Sequence, residues 1–311
     1  MRILVTGGSG FIGSHLIETL LELGNSVVCL DDFTTPPTIS FHNSHPKFEF
    51  LKADVREPFS IKCDQTYHLA CPASPVHYQR DPVKTIETAF IGTLNVLRNA
   101  KQNQARVVIT STSEIYGDPL VSPQSEDYWG NTNPIGPRSP YDEGKRAGES
   151  LSYCFSHQYN VDVRIARLFN CFGPRMTIGD GRIIPNFVTQ ALQNEDLTVY
   201  GTGQHTRSFC FVTDTVSALI RLMEAEIPKF PVVNVGNPDE RTILSVAHDV
   251  IHMTGSNSKI INRPLPEDDP KQRLPDISKI RKLLGWTPKV SFNSGLQETI
   301  NWFRNSFERI K

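Results

Sequence analysis

Two residues near the middle of the chain could form a pair that oxidises an alcohol. Tyr141 and Lys145 are four positions apart in a segment of helical composition, so their side chains lie one turn apart on one helix face. A phenol with its ordinary pKa of about 10 is a weak base at neutral pH, but a neighbouring ammonium group favours the phenolate. Upstream, the apolar run that ends at Thr110 delivers the hydroxyls of Ser111–Ser113. This combination predicts a proton relay that acts on a substrate hydroxyl.

A glycine-rich turn near the N-terminus predicts a dinucleotide site. Gly7, Gly10 and Gly13 follow an apolar strand and precede a helical pattern. Such a turn lets the backbone approach a pyrophosphate, and the helix N-terminus supplies N–H donors and a positive dipole. Asp31 ends the next strand, where a carboxylate accepts the ribose 2′-hydroxyl and repels a 2′-phosphate. The pattern therefore favours NAD over NADP.

Further cofactor contacts are expected from the ends of the following strands. Asp54 follows the third strand and is predicted either to reach the adenine end of the cofactor or to cap a helix. The full set of predicted cofactor-binding residues is Gly7, Gly10, Phe11, Ile12, Gly13, Asp31, Asp32, Asp54, Val55, Leu69, Ala70, Tyr141 and Lys145.

These groups must be positioned by a sheet, and the chain alternates short β-branched runs with helical patterns. The first runs are almost continuously apolar, as in parallel strands buried on both faces, and Phe11–Leu23 has a helical period between the first two. This alternation predicts an α/β fold with a doubly wound parallel sheet, the Rossmann type. Strands are predicted at Arg2–Thr6, Ser26–Leu30, Phe48–Ala53, Gln65–Ala70, Arg106–Thr112, Val161–Leu168 and Val232–Val235.

The pattern changes after about residue 170, where Pro, Gly and Asn interrupt the chain more often. We predict an NAD-binding domain at 1–170 and a smaller lobe at 171–311 that mainly binds substrate, with a return strand to the sheet at 232–235. Helices are predicted in this lobe at Pro185–Gln193, Asp214–Glu224, Leu244–Met253 and Ser294–Phe307.

Composition narrows the function classes. The 311 residues carry a net charge of −1, which gives no reason to expect nucleic acid or an anionic membrane as a partner. The six cysteines lack CxxC or metal-ligand spacing, so we expect reduced thiols and no metal. With no apolar run long enough to span a bilayer and no signal segment before the first strand, we expect a soluble, cytoplasmic protein.

Longer segments carry a specific resemblance. The chain resembles the extended short-chain dehydrogenase/reductases and, among them, the UDP-glucuronic acid decarboxylases, also called UDP-xylose synthases. The stretch Pro123–Arg138 is the most diagnostic, because general epimerases and dehydratases of the superfamily lack it. The matching segments are His68–Pro75, Ser111–Asp118, Pro123–Gly130, Asn133–Arg138, Tyr141–Arg146, Phe169–Asn170, Phe172–Met176, Asp180–Arg182, Val199–Gly201, Thr206–Arg207, Asn234–Pro238, Asp268–Pro270 and Leu284–Pro288.

The resemblance implies an NAD-dependent conversion of UDP-glucuronic acid to UDP-xylose. In this scheme the sugar is oxidised at C4, loses C6 as CO₂ and is reduced again at C4. The similar 4,6-dehydratases have an Asp-Glu pair in the strand-end turn, and the Asp protonates a departing C6 hydroxyl. Here the pair is Ser113-Glu114. A substrate that already carries a C6 carboxylate needs no such acid.

Roles follow from the resemblance. Tyr141 is expected to be the base, helped by Lys145, which lowers its pKa and binds the cofactor ribose; Thr112 is expected to hold the C4 oxygen. Ser113 and Glu114 would face C5 and the carboxylate, with Glu114 orienting a water molecule or the enol. Arg273 is the candidate acid or carboxylate partner, with a surface arginine as the alternative. The predicted substrate-binding residues are Pro72, Ser74, Asn170, Arg182, Tyr200, Arg207 and Arg273.

Two of these residues, Arg182 and Arg207, could instead form surface salt bridges. Two segments depart from the family pattern. Thr34–Pro37 stands in place of a Thr-Gly-Arg-type loop, and Ala89 stands where an asparagine is common.

Three competing functions remain open: a UDP-sugar 4-epimerase, a decarboxylase that releases the UDP-4-keto-pentose, and a non-catalytic NAD or nucleotide-sugar sensor. The family dimerises through helices such as Pro82–Gln102 and Asp142–Gln158, so a homodimer is expected.

Overall fold

A parallel sheet forms the centre of the molecule. The computed structural model describes residues 1–34 and 45–310, and within these ranges seven parallel strands are ordered β11-β6-β5-β4-β1-β2-β3. From β1 the chain first adds β2 and β3 on one side of the sheet, then returns to add β4, β5, β6 and β11 on the other side. This is the doubly wound arrangement predicted from the sequence. The strands are β1 Arg2–Thr6, β2 Ser26–Asp31, β3 Phe48–Lys52, β4 Gln65–His68, β5 Arg106–Thr112, β6 Val163–Leu168 and β11 Val232–Val235.

Helices cover both faces of this sheet because its central strands are buried on both sides. In β1 every residue after Arg2 is buried, and β5 is buried from Val107 to Thr112. The helices are α1 Phe11–Glu22, α2 Pro75–Tyr78, α3 Pro82–Glu87, α4 Thr93–Asn103, α5 Ser139–Tyr159, α6 Ile183–Leu192, α7 Val212–Glu224, α8 Ile243–Thr254, α9 Ser278–Leu284 and α10 Phe292–Ile310.

Small sheets build the C-terminal part over the carboxyl edge of the main sheet. They pair as β10-β7, β12-β9-β14 and β13-β8 in the described residues. Their strands are β7 Cys171–Phe172, β8 Leu197–Tyr200, β9 Thr206–Ser208, β10 Cys210–Phe211, β12 Glu240–Thr242, β13 Ile260–Arg263 and β14 Gln272–Arg273. A cluster of aromatic rings joins these elements to α10, with Phe172 and Phe292 centred 5.5 Å apart.

The boundaries differ from the predicted ones by no more than two residues in most elements, and the end of α10 differs by three. Strand β4 ends at His68 rather than Ala70, and α10 extends from Phe292 to Ile310. The predicted helix Pro82–Gln102 contains a π-helical segment at Thr88–Gly92. The segment 34–37 was predicted to differ from the family pattern, and its residues 35–37 lie outside the described ranges.

Strand β11 is the element that ties the late part of the chain to the sheet. Val232–Val235 pairs in parallel with Ile165–Leu168 of β6. The chain therefore returns to the main sheet after α6 and α7. No helix in the described part of the chain is long and apolar enough to cross a membrane.

Candidate active site

One cavity of about 630 Å³ runs from the glycine turn after β1 to the small sheets of the C-terminal part. It lies at the carboxyl edge of the main sheet, where doubly wound proteins bind ligands. Every residue predicted to bind cofactor, bind substrate or take part in the chemistry lines this cavity: Gly7, Gly10, Phe11, Ile12, Gly13, Asp31, Asp32, Asp54, Val55, Leu69, Ala70, Pro72, Ser74, Thr112, Ser113, Glu114, Tyr141, Lys145, Asn170, Arg182, Tyr200, Arg207 and Arg273.

The glycine turn leaves no room for side chains where the chain must fold closely. A Cβ at Gly7, which has φ +70°, would lie 2.6 Å from the backbone N of Ala70, and one at Gly13 would lie 2.4 Å from the carbonyl O of Gly7. Gly10, the N-cap of α1, provides no side chain to cap the helix. The first N–H groups of α1 therefore stay available to an anion in the cavity, which fits a pyrophosphate.

The carboxylates at the far end of the cavity are held by the protein itself. Asp31 accepts hydrogen bonds from the backbone N–H groups of Ser9 and Phe33, each at 2.9 Å, and burial raises its pKa. Asp32 forms an ion pair with Lys84 at 2.8 Å. Asp31 thus sits at a fixed position at the end of β2, as recognition of a ribose hydroxyl requires.

Asp54 does not cap a helix. Its carboxylate accepts from the backbone N–H of Arg56 at 2.9 Å and pairs with the Arg56 guanidinium at 2.8 Å, within a turn after β3. The next helix begins only at Pro75. The helix-cap alternative is therefore wrong. Asp54 lines the cavity, and its contact with the adenine end of the cofactor stays a prediction.

Helix α5 presents the Tyr/Lys pair at the middle of the cavity. Tyr141 is 5% exposed, and its ring stacks on that of Tyr78 with centroids 5.3 Å apart. The ammonium Nζ of Lys145 donates to the carbonyl of Thr110 at 2.9 Å and lies 6.0 Å from the centre of the Tyr141 ring.

The pKa of Tyr141 differs from the prediction. Burial raises it well above its ordinary value, and a hydrogen bond with Thr112 opposes that rise only in part. Lys145 was predicted to lower this pKa, but its ammonium group is directed to the Thr110 carbonyl at the end of β5. Burial by itself therefore favours the protonated phenol, and Thr112 is the neighbour that favours release of the proton.

A charge cluster lies beside Tyr141. Glu114, in the short 3₁₀ turn after β5, accepts from both terminal nitrogens of Arg273 and from Nη2 of Arg138 at 2.5 Å. Although burial opposes ionisation, Arg273 and Arg138 lower the pKa of Glu114 to about 2. Glu114 is consequently a carboxylate over the physiological range, and Arg273, only 5% exposed, is not a surface arginine.

Asp269 extends this cluster. It pairs with Arg207 at 3.0 Å and with Arg138 at 3.4 Å. Arg207 is 4% exposed, and burial together with Arg273 lowers its pKa to about 10. Arg207 is therefore charged at neutral pH and does not form a surface salt bridge.

The remaining predicted substrate residues occupy the other walls. Arg182 pairs with Asp180 at 2.5 Å, and its guanidinium lies 5.8 Å from the Phe11 ring centre, so it borders the cofactor end as well. Asn170 donates to the carbonyl of Ser208 at 3.2 Å. Tyr200 is 48% exposed at the rim. The hydroxyl of Ser74 is buried without a partner among the described residues, which leaves it free for a ligand.

Sequence reasoning missed four residues at the centre of this site. Arg138, Asp142, Asp269 and Tyr78 surround Tyr141 and Glu114, and the predicted sets include none of them. A signal existed for Arg138, Asp142 and Asp269, which lie inside the matching segments Asn133–Arg138, Tyr141–Arg146 and Asp268–Pro270. Their roles depend on partners such as Asp269, 131 positions from Arg138, which only the fold brings near.

No group of three or more His, Cys, Asp or Glu side chains in residues 1–34 and 45–310 could hold a metal ion. The functional groups of the cavity are thus a dinucleotide turn, a Tyr/Lys pair and a buried arginine cluster.

Fold and site together define an extended short-chain dehydrogenase/reductase. Residues 4–299 match the family model described as GDP-mannose 4,6 dehydratase. The chain is 54% identical to UDP-glucuronic acid decarboxylase 2 of Arabidopsis thaliana, over 98% of this chain and 68% of that protein. It is 49% identical to UDP-glucuronic acid decarboxylase 1 of Xenopus tropicalis, over 99% of this chain and 73% of that protein. The chain belongs to the UDP-glucuronic acid decarboxylase family.

Among solved structures, a similar one is UDP-glucuronic acid 4-epimerase from Bacillus cereus in complex with UDP-glucuronic acid and NAD. It superimposes with a TM-score of 0.88 at 28% identity, covering 98% of this chain and 100% of that chain. Epimerase and decarboxylase thus share this scaffold, and the side chains of the cavity must account for the difference in reaction.

Proposed function

We propose that this enzyme converts UDP-glucuronic acid to UDP-xylose and CO₂ with NAD as its cofactor. The observation that carries the proposal is the ionised Glu114, held by two buried arginines next to Tyr141, in a chain about half identical to UDP-glucuronic acid decarboxylases. Buried arginines suit a sugar that brings its own carboxylate. NAD, when bound, supplies the acceptor and later the donor of the C4 hydride.

The first chemical task is removal of the C4 hydroxyl proton. Tyr141 acts in this step as the phenolate, the form that its hydrogen bond with Thr112 favours. Its phenolate oxygen takes the C4 hydroxyl proton, and Thr112 holds the C4 oxygen. Lys145 is anchored to the Thr110 carbonyl, so its ammonium is fixed one turn from Tyr141, where it can bind the cofactor ribose. In the last step Tyr141 returns the proton to the C4 oxygen.

The second task is loss of C6. A C4 ketone makes the C6 carboxylate a β-keto acid, so the C5–C6 bond breaks and its electron pair moves into the C4 carbonyl as an enolate. Ser113 and Glu114 face C5 in this scheme, and Arg273 holds the departing carboxylate. Because Glu114 is ionised, we assign it the orientation of a water molecule or of the enol rather than proton donation.

We further propose a division of labour along the chain. Residues 1–170 would hold NAD, and residues 171–311 would mainly hold the UDP group. Asn170, Arg182, Tyr200 and Arg207 line the part of the cavity next to the small sheets, and the two arginines offer fixed donors for a diphosphate.

We also propose a homodimer in the cytoplasm. Apolar side chains are exposed on the α3–α4 run, with Val83 at 64%, Ile86 at 42% and Phe90 at 40%, and Tyr153 on α5 is 51% exposed. A second copy that pairs these helices would cover them.

The proposed location in the cytoplasm is supported by the cysteines. Free thiols at all six cysteines, including the exposed Cys154, fit a reducing compartment.

The test is incubation of the purified enzyme with UDP-glucuronic acid while CO₂ and sugar products are followed by NMR. UDP-xylose is the expected product. Formation of UDP-galacturonic acid without CO₂ would identify a 4-epimerase. Release of UDP-4-keto-pentose and NADH would identify a decarboxylase that does not reduce its product. The absence of turnover with any UDP-sugar would favour a non-catalytic sensor. Tyr141→Phe should lower kcat by roughly a hundredfold to ten-thousandfold while NAD binding, measured by fluorescence, is retained.

A further inference from the structure

A buried carboxyl group in the charge cluster has an oxygen without a hydrogen-bond partner. Asp142 lies in the first turn of α5, directly after Tyr141, and is 6% exposed. Its Oδ1 is buried and accepts no hydrogen bond from any described residue. Ionised carboxylates in protein interiors are normally paired or hydrogen-bonded, so this oxygen is unusual for a charged group.

The groups that face Asp142 come from several elements. Glu114 lies opposite it in the turn after β5, and Glu143 neighbours it on α5; both carry negative charge. Arg138, just before α5, and Arg273, from β14, carry positive charge, but both are already directed to Glu114. The Tyr78 hydroxyl is a neutral neighbour. Burial, followed by Glu114, raises the pKa of Asp142 to about 8, because the two arginines compensate only in part.

The charges of the cluster depend on this one proton. Among the described residues it contains the arginines Arg138, Arg207 and Arg273 and the carboxyl groups of Glu114, Asp142 and Asp269. Glu143 is not counted, because Arg146 pairs with it at 3.4 Å and offsets its charge. With Asp142 ionised, the charges cancel. With Asp142 protonated, one positive charge remains, which matches the single carboxylate of a uronic acid.

We propose that Asp142 couples proton binding to the recognition of a carboxylate-bearing sugar: it is neutral when the sugar carboxylate occupies the cluster and ionises only when that carboxylate is absent. This inference rests on the proposed function. Asp142 does not line the cavity, so it acts as a positioning residue through the charge of the arginines and not by touching the sugar. It thereby adds proton-linked specificity for UDP-sugars that carry a C6 carboxylate.

The proton balance of the proposed reaction is compatible with this role. Tyr141 takes one proton at C4 and returns it, and the C4 hydride is likewise returned. Breaking the C5–C6 bond releases CO₂ and leaves an electron pair that forms a new C5–H bond with one proton. The reaction therefore consumes one proton per turnover. In the scheme above, a solvent proton reaches C5 through the water molecule that Glu114 would orient, and Asp142 keeps its own proton.

The test is the pH dependence of KM between about pH 7 and about pH 9.5. Above the pKa of Asp142, KM for UDP-glucuronic acid should rise roughly tenfold per pH unit, since each binding event then takes up one proton. In Asp142→Asn this rise should flatten to less than about threefold over the whole range, because the amide cannot ionise. The inhibition constant of UDP-xylose, which lacks the carboxylate, should change little in either protein. Asp196→Asn, at an exposed position in the C-terminal part, is the matched control and should behave as wild type.

Calorimetry keeps the test independent of turnover. With Tyr141→Phe at about pH 8.5, titration in two buffers of different ionisation enthalpy should show proton uptake on binding UDP-glucuronic acid but not UDP-xylose, and Tyr141→Phe combined with Asp142→Asn should show none. An unchanged KM profile in Asp142→Asn, or equal proton uptake with both sugars, would overturn the role of Asp142. If wild type binds with this linkage but releases no CO₂, the proposed function fails while the linkage stands.

Discussion

Burial acts on two neighbouring acids of this site with opposite outcomes. The pKa of Tyr141 is raised because burial outweighs its hydrogen bond with Thr112, whereas Glu114 loses its proton because two guanidinium groups bind it. The difference comes from the partners and not from depth, since both side chains are largely removed from solvent. One site can thus hold a proton on its phenol and a fixed negative charge beside it.

Stability should depend on the Glu114 pairs. Glu114→Gln leaves Arg138 and Arg273 without their carboxylate, so we expect a loss of about 3–5 kcal/mol in the free energy of unfolding at neutral pH. The pKa of Glu114 is depressed in the folded state, from about 4.3 in an unfolded chain to about 2. Its contribution is therefore complete above the unfolded value and is lost as pH falls toward the folded one.

Urea unfolding at several pH values measures this effect. The difference between wild type and Glu114→Gln should be largest at about pH 7 and should shrink below about pH 4.5. Glu18→Gln, which removes a half-exposed partner of Arg175, serves as the control and should cost less than about 1 kcal/mol. A difference that stays constant down to about pH 3 would show that the ion pairs contribute nothing measurable.

At the scale of elements, the turn between β1 and α1 must pack closely and must also bind the cofactor, and different glycines meet these two requirements. Gly13 is needed for packing, because its Cβ would lie 2.4 Å from a backbone oxygen, while a Cβ at Gly10 would have its nearest neighbour at 3.4 Å. Gly13→Ala should therefore destabilise the fold by about 1–3 kcal/mol through overpacking. Gly10→Ala should leave stability almost unchanged but weaken NAD binding, because its new methyl group would enter the place where the backbone meets the pyrophosphate.

Thermal unfolding and NAD titration distinguish the two effects. Gly10→Ala should show a Tm close to wild type with a dissociation constant for NAD raised by about tenfold or more. Equal losses of Tm in both variants would contradict this separation of packing from binding.

Elements with a local signal were predictable from sequence, and elements with a distant cause were not. The parallel strands and the glycine turn appear in local composition, so β1, β5 and β11 were predicted within their observed bounds. The π-helical segment at Thr88–Gly92 has no such signal. It lies against α5, where a Cβ at Gly144 would come within 2.9 Å of the Ala89 Cβ.

The same reasoning applies to the site. Tyr141, Lys145 and Glu114 belong to short motifs, and their position at the carboxyl edge of the sheet follows from the fold class. The Glu114–Arg273 pair joins residues 159 positions apart, through β14, a two-residue strand too short to recognise by pattern. A resemblance pointed to Arg273, but the carboxyl group that it binds became visible only in three dimensions.

At the scale of the whole molecule, the face formed by α3, the π-helical segment and α5 is the part that another copy would cover. Val83, Ile86, Phe90 and Tyr153 are each at least 40% exposed there, an arrangement typical of helix-pairing interfaces. α5 also carries Tyr141 and Lys145 on its inner side. An interface on this helix would therefore stiffen the element that positions the reactive groups.

Phe90→Glu tests the interface directly. Wild type should sediment as a dimer, and a charge in the centre of an apolar interface should raise the dissociation constant by roughly a hundredfold or more, so that Phe90→Glu sediments as a monomer at micromolar concentration. Leu23→Glu is the matched control, since Leu23 is 58% exposed at the end of α1, away from this face, and this variant should remain dimeric. Because α5 would lose its support in the monomer, kcat of Phe90→Glu should fall while that of Leu23→Glu should not. A wild-type protein that is monomeric at high concentration, or a Phe90→Glu variant that stays dimeric, would place the interface elsewhere or remove it, and the exposed apolar side chains would then need another partner.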